Sequence, residues 1–218
     1  MKTITVKGVG NALVKPDHIV LWLSLDSIAK EYEAAMNFAS MKISELNKCL
    51  EEIGFEKESV KTTDFNVRTD YDSKKDCNGN YYRVFNGYVV RHRLKVSFDF
   101  DTKVLAQTLG AIAGCVAEPE LSINFTVKDS SSINEELLRS ATQNAKKKAE
   151  ILCTASGVTL GELVNIDYNW GELNIYSRTR YEMADECMKA CCEAPTSIDI
   201  EPDDIDVNDT VTFVWQIN

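Results

Sequence analysis

Apolar and polar positions fall into a few regular patterns along the chain, and each pattern predicts an element. Thr3 to Lys7 alternates as a short strand, and Gly8-Val9-Gly10-Asn11 reads as the turn that ends it. Lys15-Pro16-Asp17 opens a stronger strand, His18 to Ile28, with Ile19, Leu21, Leu23 and Leu25 on one face. Val20 and Trp22 make the start of the other face apolar too, which marks a strand at a sheet centre. Tyr32, Ala35, Met36, Ala39, Ile43, Leu46, Leu50 and Ile53 recur at spacings of three and four, the stripe of a long helix. Gly54 is placed to stop it in the left-handed conformation. Thr62 to Tyr71 reads as a strand, and the polar run Asp72 to Asn80, with its Asn-Gly, as an exposed hairpin loop.

From Gly87 to Phe100 the alternation is strict. Tyr88, Val90, Leu94, Val96, Phe98 and Phe100 share one side, and Arg91, Arg93, Lys95, Ser97 and Asp99 the other. That predicts a long antiparallel strand with one buried and one wet face. Asp101 is the expected cap of a short helix to Gly114, and Leu121, Ile123, Phe125 and Val127 alternate as the next strand. Ser132 with Glu135 forms a capping box for a second long helix. Its expected buried stripe is Leu138, Ala141, Ala145, Ala149 and Leu152, closed by Gly157. Alanine at three successive turns predicts close backbone approach. Leu163 to Trp170 is a further strand, Tyr176 to Pro195 loses periodicity, and Val207, Val211, Phe213, Trp215 and Ile217 form a closing strand.

The order β-β-α-β-β-α-β-α-β-β, with antiparallel strands, two long helices and one short one, predicts an α+β fold. No Pro-, Gly- or Ser-rich linker divides the 218 residues. The expectation is one domain over 1–218, built as a single body or as two interwoven lobes at about 1–86 and 87–218, with 171–196 as a mobile insertion.

Charge removes some partners. Lys and Arg number 24 against 34 Asp and Glu, a net charge of −10, which argues against nucleic acid or an anionic membrane. No apolar run approaches the roughly 20 residues of a transmembrane helix. The first residues alternate instead of forming a signal peptide's apolar block. The seven cysteines, an odd number, fit free thiols in a reducing compartment. Cytoplasmic placement is therefore expected, with periplasm or cell surface as the alternative if a leader has been removed. Cys49, Cys115 and Cys153 sit in apolar patterns as small buried hydrophobes.

Candidate chemistry is sparse. Gly8-Val9-Gly10 lacks the third glycine and the following helix of a dinucleotide loop. A nucleophilic arrangement must use His18 or His92, the only histidines, and no Gly-x-Ser-x-Gly elbow accompanies them. His92 stands on the apolar side of its strand, where a histidine is usually a hydrogen-bonded core residue. Cys187, Cys191 and Cys192 cluster without a second ligand pair, so a thiol-bearing surface segment is expected there in place of zinc. Glu201, Asp203, Asp204, Asp206 and Asp209 lack calcium-loop spacing. Arg91, Arg93 and Lys95 form a basic stripe expected to pair across strands with carboxylates such as Asp64 or Asp70. No catalytic, cofactor-binding or metal-ligating residue is assigned, and no cofactor is expected.

The ordered segments resemble the SIMPL-domain family. Ile4-Thr5-Val6-Lys7-Gly8-Val9-Gly10 with Val14-Lys15-Pro16-Asp17 is similar to its N-terminal signature, and Gly87-Tyr88 to its central one. The helix through Ala141, Ala145 and Ala149, then Gly157 to Leu163, and Ile200-Glu201-Pro202 before the last strand also fit. The resemblance implies an α+β fold, homo-oligomeric rings or channel-like assemblies in some members, periplasmic oxidative-stress defence in some bacterial relatives, and an adaptor role in kinase signalling in a eukaryotic one. It carries over no catalytic residue. The chain departs from periplasmic members in its start and in the cysteine-bearing stretch Tyr176–Pro195. A non-enzymatic, self-assembling or protein-interacting role is the expectation, with a small-ligand binder or enzyme near His92 as the alternative.

Overall fold

The structure is a computed structural model that describes residues 2–76, 79–168, 175–183 and 200–218. Its elements are β1 (Thr3–Val14), β2 (His18–Ala29), α1 (Tyr32–Glu52), β3 (Lys61–Lys75), β4 (Tyr81–Asp99), α2 (Thr102–Ala113), β5 (Glu120–Thr126), α3 (Ser131–Ala155), β6 (Leu160–Asp167), β7 (Tyr176–Met183) and β8 (Ile205–Ile217). The fold is α+β, in the order read from the sequence with β7 added. One sheet has the order β1-β8-β6 and the other β3-β4-β2-β5-β7. Of the stretch 171–196, residues 171–174 and 184–196 lie outside the described residues, as do Cys77, Cys187, Cys191 and Cys192.

The chain forms two compact units. The first holds β1, α3, β6 and β8, and the second β2, α1, β3, β4 and α2. In the first, β8 is central and pairs antiparallel with β1 without interruption from Thr3↔Gln216 to Val14↔Ile205. Val6, Val211, Phe213 and Trp215 meet Ala141, Ala145 and Ala149 of α3 in one core cluster. Ala12, Ile205 and Val207 meet Ile133 and Leu137 in another.

This seam corrects the expected turn at Gly8-Val9-Gly10-Asn11. The four residues lie inside β1, and the glycines are there because α3 lies almost on the strand. A β-carbon at Gly8 would overlap the Ala141 carbonyl, and one at Gly10 the Leu137 carbonyl. The alanine stripe and the two glycines are thus the two sides of one close contact. The buried stripe is Ile133, Leu137, Ala141, Ala145, Ala149 and Cys153, while Leu152 is 50% exposed. Leu137 and Cys153 thus stand in place of Leu138 and Leu152, and Leu138 is partly buried against the same core. The capping box is also replaced: Ser130 is the N-cap without a side-chain bond, and Asp129 Oδ1 accepts from the Ser131 N–H at 2.9 Å and its hydroxyl at 2.6 Å.

In the second unit β2 is the middle strand, and Ile19, Leu21, Leu23 and Leu25 are all buried. Ala35 and Ala39 of α1 pack on Val90 of β4. Gly54, at φ +100°, ends α1, and the Phe55 N–H returns to the Leu50 carbonyl at 3.0 Å. Asp101 caps α2, accepting from Lys103 N–H at 2.7 Å and Val104 N–H at 3.2 Å. The hairpin differs from expectation: β3 runs on to Lys75 and β4 starts at Tyr81, so Asp72 to Lys75 of the polar run are strand, while Cys77 and Asn78 lie outside the described residues. Cross-strand pairing by Ser73↔Arg83 and Lys74↔Tyr82 extends the ladder through side chains that carry no hydrophobic alternation.

Candidate functional site

Three places bring side chains together beyond what the core needs. The first is the end of the β3–β4 hairpin. β2 pairs with β4 only over Tyr88 to Asp99. From Tyr81 to Gly87, β4 has β3 alone for a partner among the described residues, so this part is a two-stranded ribbon. A bulge sets its start: Asp70 opposes Gly87 but Tyr71 opposes Phe85, leaving Asn86 extra. Gly87 sits there at φ +152°, where a β-carbon would overlap the Ala29 carbonyl. Asn86 Nδ2 donates to Asp70 Oδ2 at 2.8 Å across the bulge.

The ribbon carries an aromatic run. Tyr71 meets Phe85 edge-on at 5.7 Å, Phe85 meets Tyr88 at 5.4 Å, and Tyr88 meets Tyr32 of α1 at 5.7 Å. Arg83 lies over the Tyr71 ring at 4.6 Å and Lys75 over Tyr81 at 5.6 Å. Tyr81 is 74% exposed and Tyr82 51%. No residue of β3 is buried along its whole length.

The basic stripe lies on the same strand, with a different partner from the one expected. Arg91 clamps Asp26 of β2 through Nε at 2.9 Å and Nη2 at 2.6 Å, in place of Asp64 or Asp70. The register decides this, since Asp26 is directly opposite Arg91. The Arg91 hydrogen bonds hold the Asp26 carboxyl below its ordinary value, against the opposing effect of burial, and raise Arg91 in turn. Lys95 stands over Trp22 at 5.7 Å. His92 lies beside β3, its Nε2 2.8 Å from Thr62 Oγ1 and its ring edge-on to Phe65 at 5.1 Å; desolvation lowers its pKa. His18 Nδ1 is 3.4 Å from Asp99 Oδ1, so the two histidines serve different strand positions.

The second place is a groove of about 320 Å³ in the second unit, between Ile28, Phe38, Met41, Lys42, Glu45 and Val116. Val116 is 84% exposed and Met41 63%. Lys42 Nζ donates to the Asp26 carbonyl at 2.7 Å and closes one side. The third is a groove of about 590 Å³ in the first unit, between α3 and β6 over the floor of β8. Phe213 and Trp215 stack there at 5.3 Å, and the Tyr168 hydroxyl donates to Asp209 Oδ2 at 2.9 Å, which raises the tyrosine's pKa. Neither groove is lined by His92.

Among the described residues no group of three or more His, Cys, Asp or Glu is arranged to hold a metal ion. Cys115 and Cys153 are buried, Cys49 half-buried, and all three are free thiols. Burial, then the neighbouring Cys115 thiol, pushes Cys49 up to about 11, so it is a poor nucleophile. The acidic run serves β8 and its approach: Ser177 Oγ donates to the Asp203 carbonyl at 2.7 Å, and Asp209 takes the Tyr168 hydroxyl. Sequence reasoning missed the role of Asp26 and the groove beside β6. The apolar Leu163, Val164 and Ile166, on both faces of one strand, were the available signal for the groove.

No helix among the described residues is long and apolar enough to cross a membrane. The chain is similar to the 26 kDa periplasmic immunogenic protein of Brucella melitensis biotype 1, 28% identical over 168 residues. Those residues are 75% of this chain, which spans 65% of the relative's length. Residues 4–215 match the family described as SIMPL, protein of unknown function (DUF541). That match runs from the first strand to the last and takes in Gly8, Gly10 and Gly87, each held by a backbone contact that excludes a β-carbon; the chain belongs to the SIMPL family.

Proposed function

We propose that this SIMPL protein works without catalysis, by associating with copies of itself through the β3–β4 ribbon, and that residues 1–218 act as one domain. The observation that carries the reading is the ribbon. An isolated two-stranded hairpin is marginal in water. This one carries Tyr71, Tyr81, Tyr82 and Phe85 exposed and has β3 as the edge of its sheet among the described strands. Such an edge must be covered, charged or joined to another chain. A second strand against β3 would pair its backbone and cover the rings together.

The charge of −10 opposes close contact, so association tightens as salt screens it. Light scattering at several protein and salt concentrations tests this: the mass rises with both, and Tyr82→Ser with Phe85→Ser returns it to that of one chain. A monomeric mass throughout, with a small molecule that stabilises the wild type but not His92→Ala, replaces this reading with a binder centred on His92. A stress-related role belongs to the proposal, following the family resemblance; peroxide sensitivity of a deletion strain tests it. The free Cys49, Cys115 and Cys153 support cytoplasmic placement, and the relative's name supports periplasm. Titration of the denatured, unreduced protein decides: most of the seven thiols free supports the former, three bridges the latter.

A further inference from the structure

The groove of the first unit has the build of a ligand site. Its floor is Val211, Phe213 and Trp215 of β8, and its far wall is Leu160, Leu163 and Ile166 of β6. Its near wall is Leu138, Thr142 and Lys146, one face of α3 at successive turns. Two features keep it open. Gly161 lines it without a side chain and lies so close to Gln216 that a β-carbon would stand 3.1 Å from that residue's β-carbon and carbonyl oxygen. The β6–β8 register also slips on both sides of Leu163, which keeps β6 out of regular step with the floor. At about 590 Å³ the space falls within the roughly 300–1,000 Å³ of small-molecule sites.

The charge in it is one-sided. Among the described lining residues Lys146 is the single ionisable side chain besides the Tyr168 phenol, and that phenol donates to Asp209. No hydrogen bond or ion pair joins Lys146 to another described residue, whereas Lys148, half a turn on, is spent on the Lys7 carbonyl at 3.2 Å. A cation on an apolar, aromatic-floored trough in a chain of net charge −10 selects a molecule with one anionic end and an apolar body. From Leu138 to Lys146 the helix advances about 12 Å, the length of an extended chain of about eight to ten carbons.

We propose that this groove binds a medium-chain aliphatic carboxylic acid, its chain laid over Phe213 and Trp215 against Leu163 and its carboxylate at Lys146. The site is separate from the ribbon and does not depend on self-association. Burial of the chain supplies the affinity and the ammonium sets which end leads. Neutral and cationic molecules of the same length are disfavoured, since neither places an anion at Lys146.

Isothermal titration of the full chain with decanoate, decan-1-ol and decyltrimethylammonium, below their micelle concentrations, tests this. Decanoate binds tightest and the cation weakest. Lys146→Met weakens decanoate about five-fold, the scale of one exposed charge pair, and leaves decan-1-ol unchanged. Leu163→Ser, at an exposed position, weakens both. Circular dichroism of each variant confirms that it is folded. No heat from decanoate, equal binding of all three probes, or decanoate affinity indifferent to both substitutions overturns the proposal. So does a fall in solution mass with Leu163→Ser in a chain that binds no decanoate, which makes the groove a seat for a second copy.

Discussion

The seam between α3 and β1 and the ribbon of β3 and β4 are opposite solutions to where side-chain volume goes. In the seam, Gly8 and Gly10 meet Ala141 and Ala145, and the helix backbone rests on the strand. The helix also satisfies the strand: Asn144 Oδ1 accepts from the Val9 N–H at 3.1 Å, and Lys148 donates to the Lys7 carbonyl. That blunts β1 as a pairing edge. In the ribbon the residues are tyrosine and phenylalanine, 42–74% exposed, on two strands that there pair only with each other among the described residues. Small residues lie where the fold demands closeness and large ones where it demands nothing. The seam therefore reads as stability, and the ribbon as contact with something outside the fold.

Substitutions should separate the two. The largest effect is expected from Gly10→Val, which forces a branched side chain into the Leu137 carbonyl; the loss is about 3 kcal/mol or more, read as a fall in the urea midpoint. Ala145→Leu, fully buried against Gly8, should cost about 1–3 kcal/mol by overpacking. An unchanged midpoint in either would show that the seam is looser than its glycines imply.

The Asp26–Arg91 clamp comes next. Both side chains are about one-third exposed, so solvent screening limits the pair to about 0.5–1 kcal/mol in a double-mutant cycle. Because the folded-state pKa of Asp26 is lowered, its contribution is complete above the ordinary value near 3.8 and is lost as pH falls through the lowered one. Wild type and Asp26→Asn should therefore differ at neutral pH and converge in acid. Divergence towards low pH would contradict the pairing. The smallest effect belongs to the ribbon: Tyr82→Ser with Phe85→Ser should stay within about 1 kcal/mol of wild type while abolishing association. A large loss of stability there would make the aromatic run structural and erase the contrast.

Sequence alone determined what local physics decides. Alternation placed β2, the second half of β4 and β8, and three-four spacing placed α1 and α3. Gly54 and Gly157 marked the helix ends because a positive φ is a local demand, met at +100° and +72°. The alanine stripe announced a close approach without saying to what. Tertiary structure decided the rest, since each remaining feature depends on a residue distant in the chain. Gly8 and Gly10 look like a turn until α3, some 130 positions on, is laid against them. Arg91 has several carboxylates within sequence reach, and only the β2–β4 register selects Asp26. The ribbon looks like a loop because strands with both faces wet lose the alternation that would reveal them. Leu163 and Ile166 become a groove wall only once Phe213 and Trp215 lie beneath them. A side chain's pattern reports which way it faces; its partner is set by how the chain returns.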